Sequence, residues 1–270
     1  MISADLVLLV PSRERPGNVE RLIRHCALTA TAVTRIHFGF DDDDPKLEEN
    51  LRAAQGHLCS IGPRRNLTGW TNELAAAHLQ DSGALASIGD DMVPVTHGWD
   101  TALLEALPPG GGAAYAHSNR RDDIPEHIVI STRLVAALGT QETPARFAMS
   151  GSGHWYIDEA WRDVYGPSGA GCLIFLPHVL IRHLHPNVPG GDPADRTYWD
   201  AAEEFEQDAA AYRRWRLRPG GMAADIDTVR RARAGSLARP GEAGDDPAAL
   251  GDRPGAVPAV ADGPAAPAYR

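Results

Sequence analysis

Leu6-Val7-Leu8-Leu9-Val10 is an unbroken apolar run that stops at Pro11, and it constrains the fold more than any other stretch. It is too short for a free-standing helix and does not alternate with polar residues. It reads as a strand buried on both faces, as in a parallel sheet. Pro11-Ser12-Arg13-Glu14-Arg15-Pro16-Gly17 breaks the run, and Asn18 can cap a helix that starts there. Val19, Leu22, Ile23, Cys26 and Ala27 then recur at helical spacing on one face. Ile36-His37-Phe38-Gly39-Phe40 is β-branched and aromatic, a second strand. Strand, helix and strand in succession make a βαβ unit and place the chain in the α/β class.

The alternation continues. A short helix over about 46–54 leads to a strand at Leu58-Cys59-Ser60-Ile61, and Gly69 to Gln80 reads as a helix before the strand Ala84 to Ile88. Trp99, Ala102, Leu103, Ala106 and Leu107 share one helical face, which Pro108-Pro109-Gly110-Gly111-Gly112 ends. The second half mixes short strands and helices, with an apolar run from Cys172 to Leu184 and one polar-rich helix from Tyr198 to Trp215. From about Pro219 onward large apolar residues nearly vanish. The expected organisation is a domain over 1–216 and a Pro/Ala/Gly-rich segment over 217–270. That segment is too poor in apolar surface to offset its ordering entropy and is expected to be largely disordered.

The formal net charge of -10 over 270 residues argues against a nucleic-acid or anionic-membrane binder, whose footprint is basic. No stretch of 18 apolar residues exists, so neither a membrane span nor a secretory leader is expected. Cys26, Cys59 and Cys172 are odd in number and widely spaced. They fit small apolar core residues of a reducing, cytoplasmic protein.

Two strands end in carboxylates. Ile36–Phe40 runs into Asp41-Asp42-Asp43-Asp44, and Ala84–Ile88 into Gly89-Asp90-Asp91. Four adjacent carboxylates repel one another, so local stability does not favour them. An ordinary strand-to-helix turn explains part of the run, because Asp suits turns and N-caps and Pro45 suits a first helical position. Asp43 and Asp44 are therefore expected to cap the 46–54 helix. Asp41 and Asp42 come first after the strand and are best placed for a ligand. In open α/β sheets ligands bind beyond the carboxyl ends of the strands, so both clusters border one crevice, with Pro11, Ser12 and Arg13 beside them. Such a crevice suits a hard divalent cation with oxygen ligands, or the hydroxyls and base N–H groups of a nucleoside. A diphosphate needs a cation between it and Asp90 and Asp91.

The order of "VPSRERPGNVERLI", "FGFDDDDP", "RRNLTGWTNELAAA", "ASIGDDMVPVTHGWD", "GHWYIDEAWRDVYG" and "LIRHLHP" resembles the GT-A glycosyltransferases of the family 2-like branch, over roughly residues 5 to 200. The resemblance implies a Rossmann-like, mostly parallel nucleotide-binding sheet flanked by helices. It also implies a Mn²⁺- or Mg²⁺-dependent transfer of a hexosyl or pentosyl group. The donor would be a UDP- or GDP-type nucleotide sugar, the acceptor a hydroxyl of unknown identity, and the outcome inversion. Pro11, Ser12, Arg13, Asp41, Asp42, Arg65 and Asp90 would meet the donor. Asp90, Asp91, His183 and His185 would meet the metal, and Asp158 would be the base that deprotonates the acceptor. The chain departs from the pattern at Ile88, where the first Asp of the metal motif is usual.

Each assignment has an ordinary counterpart. His183 and His185 share a strand face and could be satisfied strand residues. Asp158 could be a helix N-terminal acid favoured by the dipole. Arg13, Arg15, Arg64 and Arg65 are the basic groups nearest the crevice and can grip a diphosphate, with an ordinary surface role more expected for Arg15 and Arg64 than for Arg13. Two rival functions share the architecture. A sugar-phosphate nucleotidyltransferase would open on a Gly-rich, Lys-containing loop, where Pro11-Ser12-Arg13 stands. A non-catalytic nucleotide-sugar-binding protein is favoured by Ile88.

Overall fold

The computed structural model describes residues 5–32, 34–148 and 152–235. β1 (Leu6–Pro11), α1 (Pro16–Thr29) and β2 (Thr34–Asp41) form the expected βαβ opening, with Leu8 opposite Ile36 and Val10 opposite Phe38 in parallel register. α2 (Leu47–Ala53), β3 (Leu58–Gly62), α3 (Leu67–Ala76) and β4 (Ala84–Ser87) come next. β3 pairs in parallel with β2, and β4 in parallel with β1. Then come β5 (Met92–Pro94), α4 (Trp99–Ala106), β6 (Ala113–His117), β7 (Ile128–Ser131), α5 (Thr132–Leu138), α6 (Ile157–Tyr165) and β8 (Leu173–His183). Three helices close the described chain: α7 (Arg196–Glu203), α8 (Phe205–Leu217) and α9 (Met222–Arg233).

The described strands make one eight-stranded sheet in the order β3-β2-β1-β4-β7-β6-β8-β5. β7 runs antiparallel to β4 and β6, and β5 antiparallel to β8, while β6 and β8 are parallel. The unbroken apolar run of β1 has a direct cause. Leu6, Leu8 and Val10 enter the cluster of Leu22, Phe38, Phe40, Trp99 and Leu103, whereas Val7 and Leu9 enter that of Trp70, Leu74, Ile130, Trp161 and Tyr165. Alternate residues of one strand thus supply both sides of the sheet.

Several details differ from expectation. α1 begins at Pro16 with Arg15 in the cap position. Asn18 lies inside the helix and accepts a hydrogen bond from Arg21 instead of capping. Proline at the first helical position supplies the fixed φ that a capping side chain would otherwise support. The stretch 198–215 is two helices that part at Glu204. The packed body also runs beyond residue 217. α9 buries Ile226 and Val229 against α5 and α6, and its Asp225 takes both Nη atoms of Arg146 at 2.7 and 2.5 Å and the indole N–H of Trp215 at 2.8 Å. A few apolar residues and one buried ion pair suffice to dock a helix whose composition is otherwise poor in core residues. The remainder of the expected disordered segment, 236–270, lies outside the described residues.

All three cysteines are free. Cys26 and Cys172 are core residues, but Cys59 is exposed because β3 is an edge strand. Among the described residues no helix is long and apolar enough to cross a membrane.

Candidate active site

Gly39 starts the construction of the site. A Cβ there would lie 2.7 Å from Cε3 of Trp70, so only glycine lets the indole of α3 lie flat on β2. Trp70 thereby reaches the end of the strand, where its Nε1–H donates to Asp41 Oδ1 at 2.7 Å. The Arg65 backbone N–H donates to the same oxygen at 3.0 Å, and Arg13 Nη1 to Oδ2 at 3.0 Å. Asp41 is buried, and both its oxygens are engaged. Asp42 beside it is exposed.

The other two aspartates of the run part company. Asp44 is buried and accepts from the backbone of Lys46 and Glu14 and from the Asn50 amide, tying the start of α2 to the end of β1. Asp43 is exposed and pairs with Arg13 Nη1 at 2.5 Å, so the expectation that it caps the helix is corrected. Arg13 reaches it first. Burial works against the charge of Arg13, yet Asp43 and Asp41 raise its guanidinium above the ordinary value. The Arg65 side chain lies over the Trp70 ring, 5.6 Å from its centroid.

The second cluster begins at Gly89, where a Cβ would sit 2.6 Å from Asp91 Oδ1. The missing side chain leaves room for the Asp91 carboxylate. Asp90 is buried, accepts from Ser12 Oγ at 2.6 Å and from Arg15 Nη1 at 3.1 Å, and so is held mainly by the β1 end. Asp91 instead faces His183 Nε2 at 3.4 Å, and Glu126 faces His183 Nδ1 at 3.5 Å from the other side. Neither contact is a short hydrogen bond, and Nδ1 is a buried polar atom without a hydrogen-bond partner. Ser118 Oγ and Arg120 bind Glu126. His185 stands edge-on to His183 with centroids 5.2 Å apart, and its Nδ1 accepts from the Asn187 N–H.

The electrostatics arise from these contacts. Burial pushes Asp90 up against the pull of Arg15. His183 and Arg15 hold Asp91 well below the usual carboxylate range despite its burial. Burial opposes the charge of His183, but Asp91 and Glu126 outweigh it and raise the imidazole to about 9. Glu126, likewise buried, is brought down to about 2 by His183, Arg120 and Ser118. At His185 the same carboxylates act more weakly. Burial, with Arg120 and His183, lowers it to about 4, so it is neutral at pH 7.

Asp158 is the second residue of α6 and half-buried. Burial, Glu159 and Glu126 push its carboxyl well above the usual range, and His183 and Arg120 pull the other way. Glu126 and His183 therefore lie within its electrostatic reach. The preceding loop is fixed by one carboxylate. Asp208 of α8 accepts the backbone N–H groups of Gly153, His154 and Trp155 at 2.6, 2.7 and 2.8 Å. Tyr156 then adopts φ 66°, and Glu14 and Asn119, at the ends of β1 and β6, are also left-handed at 59° and 63°. Strain of this kind persists where surrounding contacts over-determine the backbone.

The strand ends thus gather Arg13, Asp41, Asp42 and Arg65 on one side and Asp91, His183 and His185 on the other, with Ser12 and Asp90 joined between them and Asp158 within electrostatic reach of His183. Pro11 ends β1 opposite Gly39. Ile88 is buried in the core, so its place in the motif serves packing. Sequence reasoning missed Glu126, and it misread Arg15. Far from lying on the surface, Arg15 has a side chain only 17% exposed and bridges Asp90 and Asp195. The only sequence signal for Glu126 was an acid beside the apolar run Ile128–Ile130.

No protein-family model and no curated protein sequence matches the chain. Solved structures do. A mannosyltransferase from Pyrobaculum calidifontis in complex with GDP-Man and Mn²⁺ is 14% identical with a TM-score of 0.57, over 89% of this chain and 76% of that one. Glucosyl-3-phosphoglycerate synthase from Mycobacterium tuberculosis with Mn²⁺, UDP and phosphoglyceric acid is 10% identical with a TM-score of 0.53, over 78% of each chain. Its complex with Mn²⁺, UDP-glucose and phosphoglyceric acid gives 11% and 0.50, over 88% of this chain and 82% of that one. The fold is that of the GT-A glycosyltransferases.

Proposed function

We propose that this chain is a glycosyltransferase that moves a sugar from a nucleoside diphosphate donor to a hydroxyl acceptor, with a divalent cation and inversion at the anomeric carbon. The observation that carries the reading is Asp91, His183 and Glu126 facing one another at the strand ends of a GT-A sheet, beside Asp41 in its frame of Trp70, Arg65 and Arg13.

The donor chemistry of this set fits Mn²⁺ or Mg²⁺. It offers carboxylate oxygen and imidazole nitrogen, and His183 Nδ1 is buried without a hydrogen-bond partner. Among the described residues no three such side chains form a ready cage. An ion here would therefore depend on phosphate oxygens and water to complete its shell. Asp91 would hold the ion, and His183 would join it through a ring nitrogen once the ion displaces the imidazole proton. His185, whose Nδ1 already accepts from Asn187, packs edge-on against His183, while Asp90 orients Ser12 and Arg15. When bound, the ion neutralises the charge that develops on the leaving diphosphate.

The chain's own residues do the rest. The exposed Asp42 accepts from the ribose or base, while the buried Asp41 beside it holds Trp70, the Arg65 backbone and Arg13 in place. Arg13 and Arg65 face the phosphates. Asp158 takes the proton of the acceptor hydroxyl from the side of α6. Burial, with Glu159 and Glu126, raises its carboxyl well above the usual carboxylate range, which strengthens it as a proton acceptor once ionised. A cytoplasmic location is proposed with the function.

The test incubates the protein with UDP- and GDP-sugars, with Mn²⁺ and with chelator. Release of UDP or GDP only with metal supports the reading. Release of pyrophosphate from a nucleoside triphosphate and a sugar phosphate would make it a nucleotidyltransferase. Binding without turnover would make it a nucleotide-sugar-binding protein.

A further inference from the structure

Residues 186–200 form a strap that lies against Arg13, Arg15, Arg21 and Arg64, and acidic residues hold it there. Asp192 takes Arg21 of α1 at 3.0 and 2.5 Å, Asp195 takes Arg15 at 2.6 and 2.7 Å, and Asp200 takes Arg64 at 3.3 Å. Thr197 Oγ1 donates to the Arg13 carbonyl at 3.3 Å. No residue of α7 is fully buried, so ion pairs and edge-on ring contacts, not an apolar core, keep the strap in place. Elements held in this way sit at the low end of local stability.

The Arg15–Asp195 contact has the two-pronged geometry in which a guanidinium also takes phosphate. The two partners differ in exposure. The Arg15 side chain is 17% exposed and fixed to Asp90 through Nη1, whereas that of Asp195 is 43% exposed and can return to water at little cost. We propose that Asp195 is the resident occupant of an anion site on Arg15, and that a nucleoside diphosphate takes this site by displacing the strap. The proposal rests on the nucleotide-sugar reading above. It adds Arg15 as a diphosphate contact and Asp195 as the internal carboxylate that competes for it. Because Asp195 also caps α7 by accepting the Tyr198 N–H, its release loosens the first turn of that helix.

The experiment measures UDP and GDP affinity by calorimetry in Mn²⁺, and amide hydrogen exchange over 186–200. It uses the wild-type chain, Asp195→Asn and Asp195→Ser. Both substitutions keep an N-cap acceptor and remove the carboxylate, so a folding defect in one is separated from the effect by the other. In the wild type, UDP or GDP should speed exchange over 192–199. Both variants should exchange faster without ligand and bind the diphosphate on the order of tenfold tighter. Binding that ignores Asp195, with strap exchange unmoved by ligand, would overturn the displacement and leave the proposed function standing. Binding of neither nucleotide to any of the three proteins would overturn both.

Discussion

Trp70 Nε1 donates to Asp41 Oδ1 at 2.7 Å, and Gly39 makes the contact possible by leaving space for the indole. One aromatic side chain thus packs α3 on the sheet and fixes a carboxylate at the mouth of the crevice. Trp70→Phe keeps most of the packing but leaves the buried Asp41 oxygen with one donor fewer. It should lower the unfolding free energy by about 1–3 kcal/mol, read as a lower urea midpoint at unchanged slope. An unchanged midpoint would show that the bond contributes nothing.

Gly89 is the corresponding residue of the second cluster. Gly89→Ala places a Cβ 2.6 Å from Asp91 Oδ1, so the carboxylate must move away from His183. We expect Mn²⁺-dependent nucleotide binding to weaken by tenfold or more, a loss of about 1.4 kcal/mol. The melting temperature should change little, since the residue lies in a turn. Unaltered binding by a folded variant would remove Asp91 from the metal site.

The base assignment makes a pH prediction. Asp158 must be ionised to accept a proton, and burial and Glu159 raise its carboxyl. The turnover rate should fall as pH drops through a value well above that of an ordinary carboxylate. Asp158→Asn should preserve donor binding and cut the rate by about 10² or more. Were it to turn over normally while Glu159→Gln did not, the role would belong to the neighbour. A product with retained configuration would remove it from both.

A buried histidine pair links stability to pH. His37 Nδ1 lies 2.8 Å from His78 Nε2, with Ser60 Oγ at 2.9 Å on its other nitrogen. Burial and His78 lower His37 to about 4, while Asp81 pulls weakly the other way. The unfolded chain takes this proton near 6.5, and the folded protein refuses it until about 4. The stabilisation is therefore full above about 6.5 and is lost as pH falls through that window, by about 1.4 kcal/mol per unit for one group. His37→Leu should flatten the fall in melting temperature between pH 6.5 and 4. An identical slope in both proteins would contradict the assignment.

The first half of the fold was legible because its signals are local. The apolar run of β1, the helical face of α1 and the acid-ended strands β2 and β4 each declare themselves within a few residues. Asp41 and Asp90 could be singled out for the same reason. Arg15 could not, since its partner Asp195 lies 180 residues away and only the folded strap joins them. Glu126 belongs to no motif, and tertiary contacts with Ser118, Arg120 and His183 alone make it part of the cluster. The break at Glu204 and the docking of α9 likewise depend on packing that helical periodicity does not encode.

The central claim is that the two acidic clusters act together, one on the nucleoside and one, through a cation, on the diphosphate. Calorimetric titration of UDP and GDP into the wild-type chain, in Mn²⁺ and in chelator, tests it most directly. The account predicts that at least one nucleotide binds in Mn²⁺, with affinity falling tenfold or more in chelator. Equal affinity with and without the metal, or no binding of either nucleotide, would contradict it.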